Sequence, residues 1–179
     1  MSKNKFSPKK YIIANGHKCP IYKCMISDDY ENKGLTQCLL IRKQPGGKYM
    51  VALLLIDRYC LGIKNAMANC NLEDDELDEI IERSSINSGM EIVDSNYFHN
   101  MVYASLDYAQ ENGFEPHKDF ALAEKVLDEQ LIDDGIDAIE MGENGKPMFV
   151  SGPYDDYNRI INTLNKNVGE GNYVVIKMG

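Results

Sequence analysis

Five side chains in this sequence could combine into covalent chemistry. Asp57, Cys60 and Lys64 fall within one short stretch, and His99 and His117 follow further along the chain. A thiol becomes a useful nucleophile when a neighbouring imidazole or ammonium stabilises its thiolate. The sharpest enzymatic reading therefore joins Cys60, His99 and Asp57, with His117 as a competing base and Lys64 assisting if its side chain turns back. A structural account competes with it. Cys60 can serve as a small buried hydrophobe, Asp57 can satisfy backbone amides in a turn, and the two histidines can anchor helix starts by hydrogen bonds.

Other chemistries fit less well. A metal site could draw on His99, His117, Asp119 and Cys60, but the histidine spacing matches no standard ligand pattern, and Cys19 with Cys24 is a pair without a second half. No metal or cofactor is expected. The glycines around Gly142, Gly145 and Lys146 have the wrong spacing for a phosphate-cradling loop, and no G-x-S-x-G elbow occurs. A binding role has a different focus. Tyr154, Asp155 and Asp156, beside Gly152 and Pro153, form the expected exposed patch, for which a basic protein is the natural complement. Helix capping by either aspartate is the structural alternative.

Cys60 and its neighbours follow the run VALLLI at residues 51–56, which is the right length for a strand buried on both faces. Such a strand needs cover on two sides. Residues 35–42 and 49–56 read as a hairpin across Gln44-Pro45-Gly46-Gly47, where proline fixes one φ and glycines free two more. A further strand at 20–26 precedes it, following a weakly apolar stretch at 11–15 and a turn at Asn15-Gly16. Residues 63–70 place Ile63, Met67 and Cys70 at helical spacing and predict a short helix. Another begins near Glu73, where four consecutive acids suit a helix N-terminus, and breaks over 84–89. The longest helix is expected over 96–112, with Gly113 as its left-handed stop and His99 on the rim of its apolar face. Asp119 is expected to cap a second helix carrying Phe120, Ala123, Val126, Leu127 and Leu131. Strands at 136–141 and 147–151 flank Asn144-Gly145, and a helix capped by Asp155 or Asp156 leads to a closing strand at 173–178. This order contains too few βαβ units for a doubly wound sheet. The expected fold is α+β, a mainly antiparallel sheet covered by helices in a single domain over 11–179, after a flexible basic tail at 1–10.

The totals narrow the functions further. The chain has 179 residues, with 19 Lys and Arg against 28 Asp and Glu, and a formal net charge of -9. Such a surface repels phosphate backbones, and no basic, aromatic-interleaved face offsets this, so nucleic acid is not an expected partner. No apolar run reaches membrane-spanning length and the first ten residues lack the apolar core of a secretion signal. A cytoplasmic location with five reduced cysteines is expected.

Several motifs taken together resemble a known pattern. They are Asp57-Arg58-Tyr59-Cys60-Leu61-Gly62-Ile63-Lys64, Tyr97-Phe98-His99, the run from Gly113 to Phe120 (GFEPHKDF), Gly145-Lys146-Pro147, and Gly152-Pro153-Tyr154-Asp155-Asp156. In that order the chain is similar to an uncharacterised family of small bacterial proteins, over roughly residues 20–177. The resemblance implies one intact domain in a bacterial, cytoplasmic setting and carries no mechanism across. The reading that follows is a non-enzymatic interaction or regulatory domain, with a Cys/His-dependent hydrolase or transferase as the alternative. Oligomeric state is not legible.

Overall fold

The computed structural model describes residues 6–30 and 33–177; Met1 to Lys5 of the expected tail and Met178 of the expected last strand lie outside them. Within that range the chain is an α+β protein built on a five-stranded antiparallel sheet. The strands are β1 (Ile21–Ser27), β2 (Leu35–Lys43), β3 (Tyr49–Asp57), β4 (Gly62–Leu72) and β5 (Met90–Val93), in spatial order β4-β3-β2-β1-β5. The expected hairpin is present, and β3, which contains the VALLLI run, pairs with β2 and β4 along its whole length.

Residues 63–70 form a strand, contrary to the helix expected there. Ala66 and Cys70 pair with Leu54 and Met50 and point with them to one side, while Met67 pairs with Leu53 and points to the other. The three residues at helical spacing therefore do not share a face. A register shift opposite Leu55 and Ile56 puts Ile63 back with Ala66 and Cys70, which hides the alternation in the sequence.

Helices α1 (Pro8–Asn15), α3 (Ser95–Glu111) and α4 (Phe120–Ala123) cover one side of the sheet. Phe98, Met101 and Val102 of α3 and Phe120 and Ala123 of α4 pack there on Cys38, Leu40, Ala52, Leu54 and Ile56. Each large side chain buried in this way contributes about 1.5–3 kcal/mol. α1 starts three residues inside the segment expected as tail, with Pro8 at its first turn and Ser7 as its cap. α3 stops as expected, just before Gly113 with φ 89. The helix expected from Asp119 is one turn followed by two 3-10 turns, and Asp119 makes no side-chain cap.

On the other side of the sheet lies α2 (Asp74–Ser84), which follows β4 directly. The backbone N–H of Glu73 donates to the Glu76 carboxylate at 2.9 Å, and three acids occupy the first turn, as the acidic run predicts. Leu77 packs with Ile80 and Ile81 on Met25, Leu39, Ile41 and Val51.

The C-terminal unit consists of β6 (Met148–Ser151), α5 (Tyr157–Asn167) and β7 (Val174–Lys177), with β6 and β7 paired in parallel. Residues 136–141 are not a strand. The Asn144-Gly145 turn closes only a single bridge between Glu143 and Lys146, and β6 takes β7 as its partner instead. Phe149, Ile160 and Leu164 form a separate small core with Cys60, Ala109 and Phe114. Among the described residues no helix is long and apolar enough to cross a membrane.

Candidate functional site

At the end of β3 the Asp57 carboxylate accepts backbone N–H bonds from Tyr59 at 3.0 Å, Cys60 at 3.2 Å and Leu61 at 3.2 Å. Burial pushes its pKa up, while the Tyr59 and Leu61 amides, the Lys64 ammonium and the Cys60 amide oppose that shift. Gly62 then reverses the chain with φ 64. A Cβ on Gly62 would sit 2.5 Å from Ala109 Cβ and 2.9 Å from the Ser105 carbonyl, so the turn lies directly against α3.

Arg58 binds the chain on every side of this turn. Its guanidinium donates to the carbonyls of Tyr30, Lys33 and Glu140. Its backbone N–H donates to Gly34 at 2.8 Å, and its carbonyl accepts from Gly142 at 2.9 Å. The next carbonyl, that of Tyr59, accepts from Met148 at 3.0 Å and so holds the start of β6. Lys64 reaches both oxygens of Asp155, at 3.0 and 3.1 Å, and Asp155 Oδ2 also accepts the Gly152 N–H at 2.8 Å. The polar residues after the apolar run thus form a structural junction between the main sheet and the C-terminal unit.

Cys60 lies at the centre of that junction and is fully buried among Ala109, Phe114, Phe149, Ile160 and Leu164. Burial pushes its thiol pKa well up; Asp57 adds to the shift and Lys64 opposes it. Thiolate chemistry requires the opposite shift. His99 is fully buried on α3, its Nδ1 2.6 Å from the Ser95 carbonyl, and the charged groups acting on it are Arg42 and Asp128. His117 donates its backbone N–H to Ile63 at 2.9 Å, and its ring Nδ1 accepts from the Asp119 N–H at 3.3 Å. The structure therefore brings Asp57, Cys60 and Lys64 together, but neither imidazole is among the titratable groups acting on the thiol. Among the described residues no three His, Cys, Asp or Glu side chains form a metal-holding group. Two surface hollows, of about 560 and 400 Å3, lie along α5 and between α1 and the β2–β3 turn, and neither is lined by Cys60, His99 or His117.

The expected binding patch also divides. Tyr154 is 99% exposed. Asp155 is turned inward to Lys64, and Asp156 caps α5 by accepting the Arg159 N–H at 3.1 Å. Both aspartates have structural roles; Asp156 is exposed like Tyr154, and only Asp155 of the three is turned inward.

A different surface stands out once the register is known. Leu35, Gln37, Leu39 and Ile41 of β2 share the α2 side of the sheet with Val51, Leu53 and Leu55 of β3 and with Asn65, Met67 and Asn69 of β4. α2 covers only the end of this face near the β2–β3 turn, over Leu39, Ile41 and Val51. Leu53 at its margin and Leu55 beyond it are partly exposed, Leu35 is 48% exposed and Met67 is 39% exposed. A connected apolar surface of this kind, with an amide rim of Gln37, Asn65 and Asn69, characterises interaction sites more than catalytic ones. The sequence carried one sign of it. The VALLLI run demanded cover on both sides, and among the described residues the second is covered by the eleven residues of α2. Comparison with protein-family models, with curated proteins and with solved structures finds no match to this chain.

Proposed function

We propose that this protein is a non-enzymatic protein-binding domain, and that its binding surface is the open half of the sheet face beside α2. The observation that carries the reading is the exposure of Leu35 and Met67 at 48% and 39%, next to the partly exposed Leu53 and Leu55 on one continuous strand face. An acidic chain of net charge -9 favours a basic partner through long-range attraction. The bacterial, cytoplasmic setting belongs to the same proposal; five free, buried cysteines accord with a reducing compartment.

The test is photo-crosslinking in the producing cell, with a benzophenone amino acid at position 67 and, as a control, at position 166 on α5. Discrete protein adducts from position 67 that the control does not give are expected. Equal or absent adduct formation at the two positions removes this surface as the binding site.

A further inference from the structure

We propose that the occupant of the open half-face is a single amphipathic α-helix of a partner protein, lying alongside α2 and carrying Lys or Arg on the flank that faces it. This inference rests on the protein-binding reading above and specifies its partner. The first argument is one of spacing. Residues in a strand advance about 3.3 Å each, so Leu55 lies roughly 7 Å beyond Leu53 and Leu35 roughly 13 Å beyond Leu39. Packed helices sit about 8–10 Å apart. Met67 is level with Leu39 but two strands to the side, roughly 10 Å away, so a helix placed beside α2 at that distance comes to rest on Leu55, Leu35 and Met67, as α2 rests on Leu39, Ile41 and Val51.

The second argument concerns the type of element. An extended peptide adds to a sheet at its edge, through backbone hydrogen bonds. Here Leu53 and Leu55 lie on β3, which is already paired on both sides by β2 and β4. β4 is an edge strand, but its Ala66 and Cys70 N–H groups are already bonded to the Asn65 and Asn69 side-chain oxygens at 2.8 Å, which leaves the pleated apolar face as the main surface on offer. Such a face is covered by a helix stripe or by a second sheet.

The third argument is charge. α2 exposes Asp74, Asp75, Glu76, Asp78, Glu79 and Glu82. Its one basic residue, Arg83, is already paired with Glu79 at 3.2 Å. A helix with a basic flank gains attraction along α2, whereas a second copy of this chain would bring another acidic α2 towards the first. The amide rim of Gln37, Asn65 and Asn69 is indifferent to sign, so α2 sets the preference.

The experiment uses three synthetic peptides of about five helical turns. One has leucines at helical spacing with lysines on the remaining faces, one is a scramble of the same composition, and one replaces the lysines by glutamates. Binding to the full chain is followed by calorimetry and by methyl NMR of Leu53, Leu55 and Met67. The basic amphipathic peptide is expected to bind and to shift those methyls. A Leu35→Asn/Met67→Asn double variant, which keeps the charge, is expected to weaken it about tenfold or more. A Glu79→Gln/Glu82→Gln variant is expected to weaken it less, with a smaller salt dependence. Equal binding of the scramble, or of the Leu35→Asn/Met67→Asn variant, overturns the proposal, as does a dimer of the free protein that the same two substitutions dissolve. If position 67 crosslinks to a natural partner and the basic helix still fails to bind, the helix inference falls while the protein-binding reading stands.

Discussion

Lys64 and Asp155, 91 positions apart in the chain, meet in an ion pair whose side chains are only 21% and 12% exposed. The pair joins β4 to the loop before α5, and both its charges act on the buried thiol of Cys60. Substituting one member of a partly buried pair leaves the other charge under-compensated, so Lys64→Met and Asp155→Asn should each cost about 1–3 kcal/mol. Asparagine keeps an acceptor for the Gly152 N–H, so the asparagine variant reports mainly on the charge. A double-mutant cycle by urea unfolding should return a coupling of about 1 kcal/mol or more. Hydrogen exchange should rise at β6 and β7 before it rises at β2 and β3. A coupling near zero would show that packing of Phe149, Ile160 and Leu164 holds the unit without the pair.

The burial of Cys60 sets a second expectation. All five cysteines are free and buried, and burial raises the thiol pKa of Cys24, Cys38, Cys60 and Cys70, that of Cys24 to about 12. Thiol reagents at neutral pH should therefore label the native protein slowly and label all five sites once it is denatured. Cys60→Ala should change stability by about 1 kcal/mol through loss of packing. Rapid native labelling that disappears in Cys60→Ala would restore the nucleophile reading.

Much of this architecture was legible because its causes are local. The β2–β3 hairpin follows from an alternating-to-continuous apolar pattern around Pro45-Gly46-Gly47, α3 from its stripe ending at Gly113, and α2 from its acidic first turn. Asp57 as the acceptor for turn amides was also readable, since a carboxylate at the end of a strand has few other partners nearby. The errors come from tertiary partners. β4 looked helical because a register shift opposite β3 interrupts its alternation. Residues 136–141 looked like a hairpin arm, yet β6 pairs with β7 from the far end of the chain. The open face beside α2 is a property of register and of which helix covers which strand, and neither is written in any single segment. Asp155 illustrates the same limit: its local context gives a helix cap, and its partner Lys64 lies 91 positions away in β4.

Gly62 should be hard to replace at the candidate junction. Its φ of 64 is in the left-handed region, and an added methyl would meet Ala109 and the Ser105 carbonyl of α3 at 2.5 and 2.9 Å. Gly62→Ala combines backbone strain with a clash against a helix backbone, and the expected cost is about 2–4 kcal/mol. Gly145→Ala is the matching control, because Gly145 has φ 75 and no atom within 4 Å of an added methyl. It should cost about 1 kcal/mol, from the conformation alone. Equal losses in thermal unfolding would mean that the turn is not pressed against α3.

His99 makes stability depend on pH, and the sign can be fixed from its surroundings. Burial holds its pKa below the ordinary 6.5; the bond to Ser95 opposes this, Arg42 reinforces it and Asp128 opposes it. Because the carbonyl of Ser95 can only accept, Nδ1 carries the proton and Nε2 is left as a buried acceptor without a hydrogen-bond partner among the described residues. The unfolded chain takes up a proton as pH falls through about 6.5, while the native ring does not until a lower pH. Stability contributed by neutral His99 is therefore full above 6.5 and declines as pH drops towards the native pKa, by at most about 1.4 kcal/mol per pH unit. His99→Asn keeps a donor for Ser95 and removes the titration. Between pH 7.5 and 5.5 the urea midpoint of the wild type should fall further than that of His99→Asn. Parallel curves for wild type and His99→Asn would show that the buried ring is not the group that links folding to protons.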